Sequence, residues 1–274
     1  MNILDGKKLR DEIFLKLKDK VKDLKLSLAV IQVGDDEASN VYINQKKKMC
    51  ENLNIQFKHY RLQESILDDE VIHLIEKLNK DDTTAILMQL PIPNHLNKQK
   101  IIDSIDYRKD VDGLTSINAG NLLLGKKGLI PCTPKGIITL SKYNNIDLKG
   151  KRVTIIGRSN LVGKPLALLM LRENATVSIC HSKTKNIKDI TLNSDIIISA
   201  TGKNGLVKED MIKDNAVVVD VGISKIDGKL FGDVDFEQVS RKCSYITPVP
   251  GGVGPMTIAS LAENIYEAYL IQKK

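Results

Sequence analysis

Tyr42 and Lys46 lie four positions apart in the segment ASNVYINQKKKMCENLNI. On a helix, this spacing places a phenol and an ammonium on one face, within reach of one ligand. Gln89 follows the apolar run 85–88, and prolines at the next turn end strand pairing there. Gln89 is therefore expected at the carboxyl edge of a strand, where open α/β sheets bind ligands. The residues alone also allow Lys46 to be one of three solvated lysines and Gln89 to be a strand cap.

A second chemical feature is the stretch KRVTIIGRSNLVGKPLALLM, residues 151–170. Its β-branched run, glycine and helical leucine spacing predict a strand, a tight turn and a helix, whose N-terminus suits a pyrophosphate. Gly157 allows the turn, Gly163 allows close backbone approach, and Pro165 suits a first helical turn. The spacing is G-x-S-x-x-x-G instead of G-x-G-x-x-G, so a buried strand–helix turn without a ligand stays an alternative.

The residues after the next strand, TVSIC, indicate which dinucleotide would bind. NAD-binding folds normally place a carboxylate there for the ribose hydroxyl. Here His181 and Ser182 follow instead, and Arg158 is available from the first turn. Arginine and hydroxyl donors suit a phosphate that an acid would repel. The pattern favours NADP over NAD, with a merely solvated loop as the alternative.

The elements that must position these residues form an α/β protein. In the first 120 residues, apolar spacing predicts an amphipathic first helix, a later helix striped by Val71 and Leu78, and strands at 28–33, 55–57 and 85–88. Downstream, apolar runs recur between polar or helical segments, as a doubly wound parallel sheet requires; they lie at 153–156, 175–180, 195–200 and 216–221. The polar stretch 106–121 reads as irregular and marks the domain border.

Near the end, the segment PVPGGVGPMT (248–257) holds three glycines and three prolines in ten residues. This composition predicts a backbone-lined wall at a ligand, leading into a last helix from Thr257 to Ile271. A plain interdomain linker is the alternative.

The amino-acid composition argues against several functional classes. The chain has 274 residues, a net charge of +7, no tryptophan and 4% aromatic residues, which argues against a stacking platform for nucleic acid. Its four cysteines lack C-x-x-C spacing, and none of its four histidines has metal-like spacing. The cysteine spacing indicates reduced thiols in a cytoplasmic protein, and neither residue type indicates a zinc site. No apolar run approaches the ~20 residues of a membrane span.

Taken together, these segments closely resemble the bifunctional methylenetetrahydrofolate dehydrogenase/methenyltetrahydrofolate cyclohydrolase family. Six motifs occur in the family's order over nearly the whole chain: Tyr42-x-x-x-Lys46 with Lys48, Gln89-Leu-Pro-Ile-Pro, Lys109-Asp-Val-Asp112-Gly113, Pro131-Cys-Thr-Pro134-Lys-Gly136, Gly157-Arg-Ser159 with Gly163-Lys-Pro165, and Pro248-Val-Pro-Gly-Gly-Val-Gly-Pro-Met-Thr257.

The resemblance implies two domains with an active-site cleft between them. Residues 1–120 with the C-terminal helix 257–274 would bind folate, and residues 121–256 would form a Rossmann-like domain that binds NADP. The implied activity is NADP-dependent oxidation of 5,10-methylenetetrahydrofolate to the 5,10-methenyl cation, followed by hydrolysis to 10-formyltetrahydrofolate. The family also implies a homodimer and a place in one-carbon metabolism and purine biosynthesis. A member with only dehydrogenase activity is the alternative.

By the same resemblance, the catalytic residues are Tyr42, Lys46, Gln89 and Asp112. Lys46 would move the proton in hydrolysis, Gln89 would hydrogen-bond and tune it, Tyr42 would orient the substrate, and Asp112 would accept hydrogen bonds from the pterin. A free lysine, with a pKa of about 10.4, is a poor base, so burial and the substrate cation must lower the pKa of Lys46.

The remaining implied site residues hold substrate or cofactor. Folate would contact Tyr42, Lys46, Gln89, Asp112, Pro250, Gly251 and Gly252. NADP would contact Gly157, Arg158, Ser159, Val162, Gly163, Pro165, His181 and Ser182. Apart from the resemblance, Asp112 could equally be a turn former.

Two other protein classes share single features with this chain. Short-chain dehydrogenases use a Tyr-x-x-x-Lys pair, but there the glycine turn precedes the pair, whereas here Tyr42 comes long before Gly157. A basic nucleic-acid-binding module would need aromatic interleaving or a recognised motif, and the sequence has neither. We therefore expect no nucleic acid and no membrane as partners.

Overall fold

The computed structural model describes residues 1–226 and 228–273, which fall into two units. A three-stranded unit comprises Glu12–Cys132 and Ile258–Lys274, and a six-stranded unit comprises Met1–Asp11 and Thr133–Thr257. This division falls after Cys132, whereas the family resemblance implies a border between residues 120 and 121 and places residues 1–11 in the folate domain. Residue 274, the predicted end of the last helix, lies outside the described residues.

The elements of the first half alternate between strand and helix. In chain order they are β1 (Asn2–Ile3), α1 (Gly6–Val21), β2 (Ser27–Val33), α2 (Glu37–Asn52), β3 (Gln56–Leu62), α3 (Asp68–Lys80), β4 (Ala85–Met88), α4 (Lys98–Asp103) and α5 (Ser116–Leu123).

The second half repeats the alternation and ends in the longest helix. Its elements are α6 (Cys132–Tyr143), β5 (Arg152–Ile156), α7 (Gly163–Arg172), β6 (Thr176–Cys180), α8 (Ile187–Leu192), β7 (Ile196–Ser199), a 3-10 turn (Glu209–Met211), β8 (Val217–Asp220), β9 (Ser224–Ile226), β10 (Lys229–Phe231), α9 (Phe236–Val239), β11 (Tyr245–Ile246) and α10 (Val253–Gln272).

The three-stranded unit is built on a parallel sheet in the order β3-β2-β4. Every residue of the central strand β2 is buried, which is why its sequence SLAVIQV is almost continuously apolar. The predicted stripe on α3 supplies Val71, Ile75 and Leu78 to the core beneath this sheet. The core therefore fixes β2 and β4, whose carboxyl ends lead toward the predicted catalytic residues.

The six-stranded unit carries the predicted doubly wound sheet, with strand order β1-β11-β8-β7-β5-β6 and parallel pairing throughout. From β5 the chain adds β6 on one side and then β7, β8 and β11 on the other. This reversal creates a topological switch point at the carboxyl end of β5, the usual dinucleotide position. The pairing of β1 with β11 adds an outer strand that the sequence analysis does not anticipate.

Two sequence expectations about local structure are wrong. The polar stretch 106–121 contains the start of α5, because Thr115 caps that helix by accepting a hydrogen bond from the Asn118 N–H. The last helix begins at Val253 and not at Thr257. Pro255 is compatible with this because it lies in the first helical turn, where no backbone donor is needed. Among the described helices, none has the length and apolar character needed to cross a membrane.

Candidate active site

Lys46 and Gln89 meet at the carboxyl edge of the three-stranded sheet. Asp36 starts α2 by accepting the Ser39 N–H at 2.8 Å, and this helix carries Lys46. The Lys46 Nζ donates to Gln89 Oε1 at 2.8 Å, and the Gln89 Nε2 donates to the Leu90 carbonyl at 2.7 Å. Gln89 is only 6% exposed, so its amide is held in one orientation. The predicted hydrogen bond is confirmed; the catalytic role of the pair stays a prediction.

Asp112 belongs to the same cluster. Burial lowers the pKa of the Lys46 ammonium, while the nearby charges of Asp112 and Cys132 oppose that change. Burial also raises the pKa of Asp112, against the effects of Lys46 and of a hydrogen bond with Cys132. Both residues keep some contact with solvent. Desolvation nevertheless has the largest effect on each pKa, because protein surrounds the charged ends of the side chains. The structure thus brings an amine of lowered basicity beside a carboxyl group.

Cys132 is a member of this cluster that the sequence analysis treats only as a reduced thiol. Its Sγ lies 3.3 Å from the Val111 carbonyl, immediately before Asp112. Only its position in the Pro131-Cys-Thr-Pro134 motif could have indicated that Cys132 lies near Lys46. Thiol chemistry alone gives no reason to associate a cysteine with a lysine.

Close packing at Gly113 and hydrogen bonds from Asn264 fix the backbone around Asp112. Gly113 has φ +66°, and a Cβ there would come within 2.8 Å of Leu129 and Pro131 backbone atoms. The buried Asn264 side chain on α10 donates to the carbonyls of Val111 and Ile130, each at 2.8 Å. Sequence reasoning misses Asn264, since its partners are backbone groups more than a hundred residues away.

Tyr42 lies one helical turn before Lys46 on α2. Its side chain is 39% exposed, and partial burial raises the pKa of its phenol. A neutral phenol on the same helix as Lys46 can donate or accept a hydrogen bond. The predicted set Tyr42, Lys46, Gln89 and Asp112 therefore lies entirely in the three-stranded unit.

The glycine turn of the six-stranded unit has the predicted strand–turn–helix form. Gly157 has φ +132°, and a Cβ there would come within 2.6 Å of the Ala200 carbonyl. A Cβ on Gly163 would clash with the Gly157 carbonyl oxygen. Ser159 Oγ accepts the Val162 N–H at 3.1 Å, and Pro165 lies in the first turn of α7. The N-terminus of α7 thus follows directly on the glycine turn at the carboxyl end of β5, an arrangement that suits the phosphates of a dinucleotide.

Arg158 and Ser182 lie at the ends of neighbouring strands. β5 and β6 pair in parallel with Ile156 opposite Cys180, so the residues that follow them share one sheet edge. Both side chains are exposed. His181 is partly buried; its N–H donates to Thr184 Oγ1 at 2.9 Å and its Nδ1 accepts from the Lys183 N–H at 3.2 Å. No carboxylate occurs in the segment HSKTKN, so this edge fits a phosphate.

The Pro248–Gly252 segment is a tight turn after β11. Gly251 has φ +117°, and a Cβ on Gly252 would lie 2.7 Å from the Thr247 Cβ. The Gly252 N–H donates to the Pro248 carbonyl at 2.9 Å. Pro250 is exposed while both glycines are buried. The backbone character predicted for this wall is present, and its contact with folate stays a prediction.

Within residues 1–226 and 228–273, no three His, Cys, Asp or Glu side chains are grouped as a metal ion would require.

Family models match most of the chain. Residues 4–112 match the tetrahydrofolate dehydrogenase/cyclohydrolase catalytic domain, and residues 131–273 match the NAD(P)-binding domain of the same family. The first match contains Tyr42, Lys46, Gln89 and Asp112, and the second contains the predicted NADP-binding residues together with Pro250–Gly252.

Three individual proteins illustrate the similarity. The Bifunctional protein FolD of Agathobacter rectalis is 53% identical, covering 97% of this chain and 98% of the relative. The crystal structure of a bifunctional FolD methylenetetrahydrofolate dehydrogenase/cyclohydrolase from Campylobacter jejuni has a TM-score of 0.97 at 49% identity, covering 99% of both chains. A Trypanosoma brucei dehydrogenase–cyclohydrolase complexed with NADP and an inhibitor has a TM-score of 0.94 at 32% identity, covering 99% and 98%.

Proposed function

This chain belongs to the tetrahydrofolate dehydrogenase/cyclohydrolase family, and from that premise we propose how its residues share the two reactions. The enzyme is bifunctional and uses NADP: it oxidises 5,10-methylenetetrahydrofolate to the 5,10-methenyl cation and hydrolyses that cation to 10-formyltetrahydrofolate. A dehydrogenase without hydrolase activity is disfavoured, since relatives at about half identity over their full length are bifunctional proteins.

In the oxidation, NADP supplies the hydride acceptor when bound. Loss of hydride leaves a cation stabilised by the two flanking nitrogens, so the protein needs to position the reactants more than to move a proton. We assign Asp112 to the pterin N–H groups, because a carboxylate offers paired acceptors. Tyr42 then orients the one-carbon end, and Pro250, Gly251 and Gly252 supply contacts to folate.

In the hydrolysis, water attacks the methenyl carbon and must lose a proton as the new C–O bond forms. We assign Lys46 as the group that accepts this proton. Burial lowers the pKa of Lys46, which increases the neutral fraction, and the hydrogen bond to Gln89 keeps the nitrogen in place. The same amine can return the proton to N5 when the bond from this carbon to N5 breaks, and the remaining hydroxyl proton leaves to solvent water as the formyl C=O forms. The 2.8 Å contact between Lys46 and Gln89 is the observation that carries this assignment.

The residues that would hold NADP lie along the carboxyl edge of β5 and β6. The α7 N-terminus, with Gly157, Ser159, Val162, Gly163 and Pro165, suits the pyrophosphate. Arg158 and Ser182 suit the 2′-phosphate, and His181 orders the turn that presents Ser182. This assignment is supported by the exposed Arg158 and the absence of a carboxylate from the segment HSKTKN.

We also propose a homodimer formed through the β9–β10 hairpin. Large apolar side chains on and beside it are exposed, namely Ile223, Ile226, Leu230, Phe231 and Phe236. Exposed apolar patches of this kind mark association surfaces. Sedimentation velocity should give a dimer that Phe231→Ser weakens; a monomer for the unaltered chain would refute this proposal.

The cellular setting and the domain borders also remain proposals. We propose a cytoplasmic enzyme, in keeping with four buried thiols, that binds neither nucleic acid nor a membrane. Its formyl product would serve purine biosynthesis. We keep the proposed folate domain at residues 1–120 and 257–274 and the NADP domain at 121–256.

A spectrophotometric assay with methylenetetrahydrofolate tests the function directly. NADP and NAD are supplied in parallel, and reduced nicotinamide and methenyl absorbance are followed separately. We expect NADP-dependent reduction with little build-up of methenyl product. Folded protein that reduces neither nucleotide would refute the assignment.

A further inference from the structure

Two buried carboxyl groups in the six-stranded unit have no place in the site described above. Asp220 ends β8 and is 4% exposed, and Asp233 follows β10 and is fully buried. Buried acids are uncommon unless they are paired or hydrogen-bonded. Their contacts therefore indicate what they hold in place.

Asp233 holds the turn that follows β7. Its Oδ2 accepts hydrogen bonds from Ser199 Oγ at 2.8 Å, from the Thr201 N–H at 2.7 Å and from Thr201 Oγ1 at 2.9 Å. A charged acceptor of three donors is stronger than a neutral one. The backbone at Thr201 is consequently fixed relative to β7.

Asp220 continues the same network toward β8 and β11. Its two side-chain oxygens accept the N–H groups of Asp233 at 2.9 Å and Val234 at 3.0 Å. Its own backbone N–H donates to Thr247 Oγ1 at 2.6 Å. The two acids thus join the ends of β7, β8 and β11 to the segment after β10.

Two glycines, one after β8 and one after β10, pack closely against the two acids. A Cβ on Gly222 would clash with the Asp233 carboxylate, and a Cβ on Gly232 would clash with the Asp220 carboxylate. No larger residue fits at either glycine without displacing an acid. The position of the backbone at Gly222 is therefore set by Asp233.

Besides these hydrogen bonds, the pair has two features that oppose folding. The pKa of Asp220 is raised to about 6, chiefly by burial; the charge of Asp233 acts in the same direction, and three backbone N–H donors act against it. Among the described residues, Asp233 Oδ1 is buried without a hydrogen-bond partner. Both features carry an energetic cost, and such departures from good packing tend to occur at functional positions.

The location of the pair suggests which function it serves. The proposed phosphate-binding residues follow β5 and β6, whereas the acids hold the turns after β7 and β8, on the other side of the switch point. A dinucleotide on a doubly wound sheet extends across that point from one half to the other. We infer that Asp220 and Asp233 are positioning residues for the nicotinamide end of NADP, acting through the turns at 200–202 and 221–223. This inference rests on the proposed NADP site.

Asp233→Asn tests the inference, with Asp235→Asn as the matched control. Asp235 caps α9, where asparagine serves equally well, so the control makes the same chemical change two residues away. Misplacing the nicotinamide should slow hydride transfer while the phosphate contacts persist. We expect the dehydrogenase kcat to fall at least tenfold, with KM for NADP within about threefold. Hydrolysis of supplied methenyltetrahydrofolate should stay unchanged, since its proposed proton-transfer residues, Lys46 and Gln89, lie in the other unit.

Ser199→Ala is a second, milder variant that removes one hydrogen-bond donor to Asp233. It tests the positioning role of Asp233 if Asp233→Asn fails to fold. It should lower the same kcat by a smaller factor. The inference is overturned if the folded variants keep the kcat of the Asp235→Asn control, or if both activities fall together with the melting temperature. An unaltered enzyme that fails to use NADP would instead refute the proposed function.

Discussion

Lys46 shows how neighbouring groups adjust one side chain for proton transfer. Burial lowers the pKa of its ammonium, while Asp112 and Cys132 act in the opposite direction. Gln89 offers a neutral acceptor at 2.8 Å, which fixes the nitrogen without adding a negative charge. We therefore expect that a glutamate at this position would change the basicity of Lys46.

Gln89→Glu should raise the pKa of Lys46, because a carboxylate beside the ammonium stabilises the charged form. A base must be neutral to accept a proton, so hydrolysis should be lost at neutral pH and recovered as pH increases. The measurement is the pH dependence of the hydrolysis kcat, with the exposed Gln63→Glu as control. A profile that matches the control would argue against Lys46 as the titrating base.

Arg158→Ala tests the choice of cofactor. A hydrogen bond to a charged phosphate contributes about 1.5–3 kcal/mol, so KM for NADP should increase by roughly 10–100-fold while KM for NAD changes little. Arg152→Ala is the control, since Arg152 is also exposed but lies at the other end of β5. Equal losses with the two nucleotides would mean that Arg158 does not distinguish the 2′-phosphate.

At the scale of elements, the nucleotide turn depends on close backbone contact between β5 and α7. Gly163→Ala introduces a Cβ that clashes with the Gly157 carbonyl oxygen, and such overpacking costs about 1–3 kcal/mol. We expect a lower melting temperature and a higher KM for NADP. Gly120→Ala is the control, since Gly120 lies in α5 with open space around its Cα. Equal behaviour of the two variants would contradict a tight turn.

Sequence patterns predict the main elements well and their boundaries less well. The strand at 28–33 and the α3 stripe follow from local hydrophobic spacing, because each is decided by residues next to one another. The start of α10 at Val253 was not predicted, since three glycines and three prolines in one segment disfavour regular structure. What the composition could not show is that Pro255 falls in the first turn, where it is tolerated.

Across the whole molecule, contacts between distant parts of the chain explain what the sequence left out. Asn2 pairs with Tyr245 in the sheet, and Asn264 fixes the backbone beside Asp112. Neither contact leaves a local pattern. Tyr42, Lys46, Gln89 and Asp112 are predicted from motifs that resemble those of the family, whereas Cys132, Asn264 and Asp233 become evident only once their partners are located.

One chain carries out both steps, and we propose that Lys46 is needed for the second step alone. Lys46→Met is compared with Lys47→Met, a surface lysine 4.0 Å from Glu51 on the same helix. Hydrolysis of supplied methenyltetrahydrofolate is measured first, and then methenyl absorbance and reduced nicotinamide are followed from methylenetetrahydrofolate with NADP. We expect a fall in hydrolysis of roughly 10²–10⁴-fold and methenyl product that accumulates in step with reduced NADP. Hydrolysis equal to that of Lys47→Met would remove Lys46 from the mechanism and contradict the account.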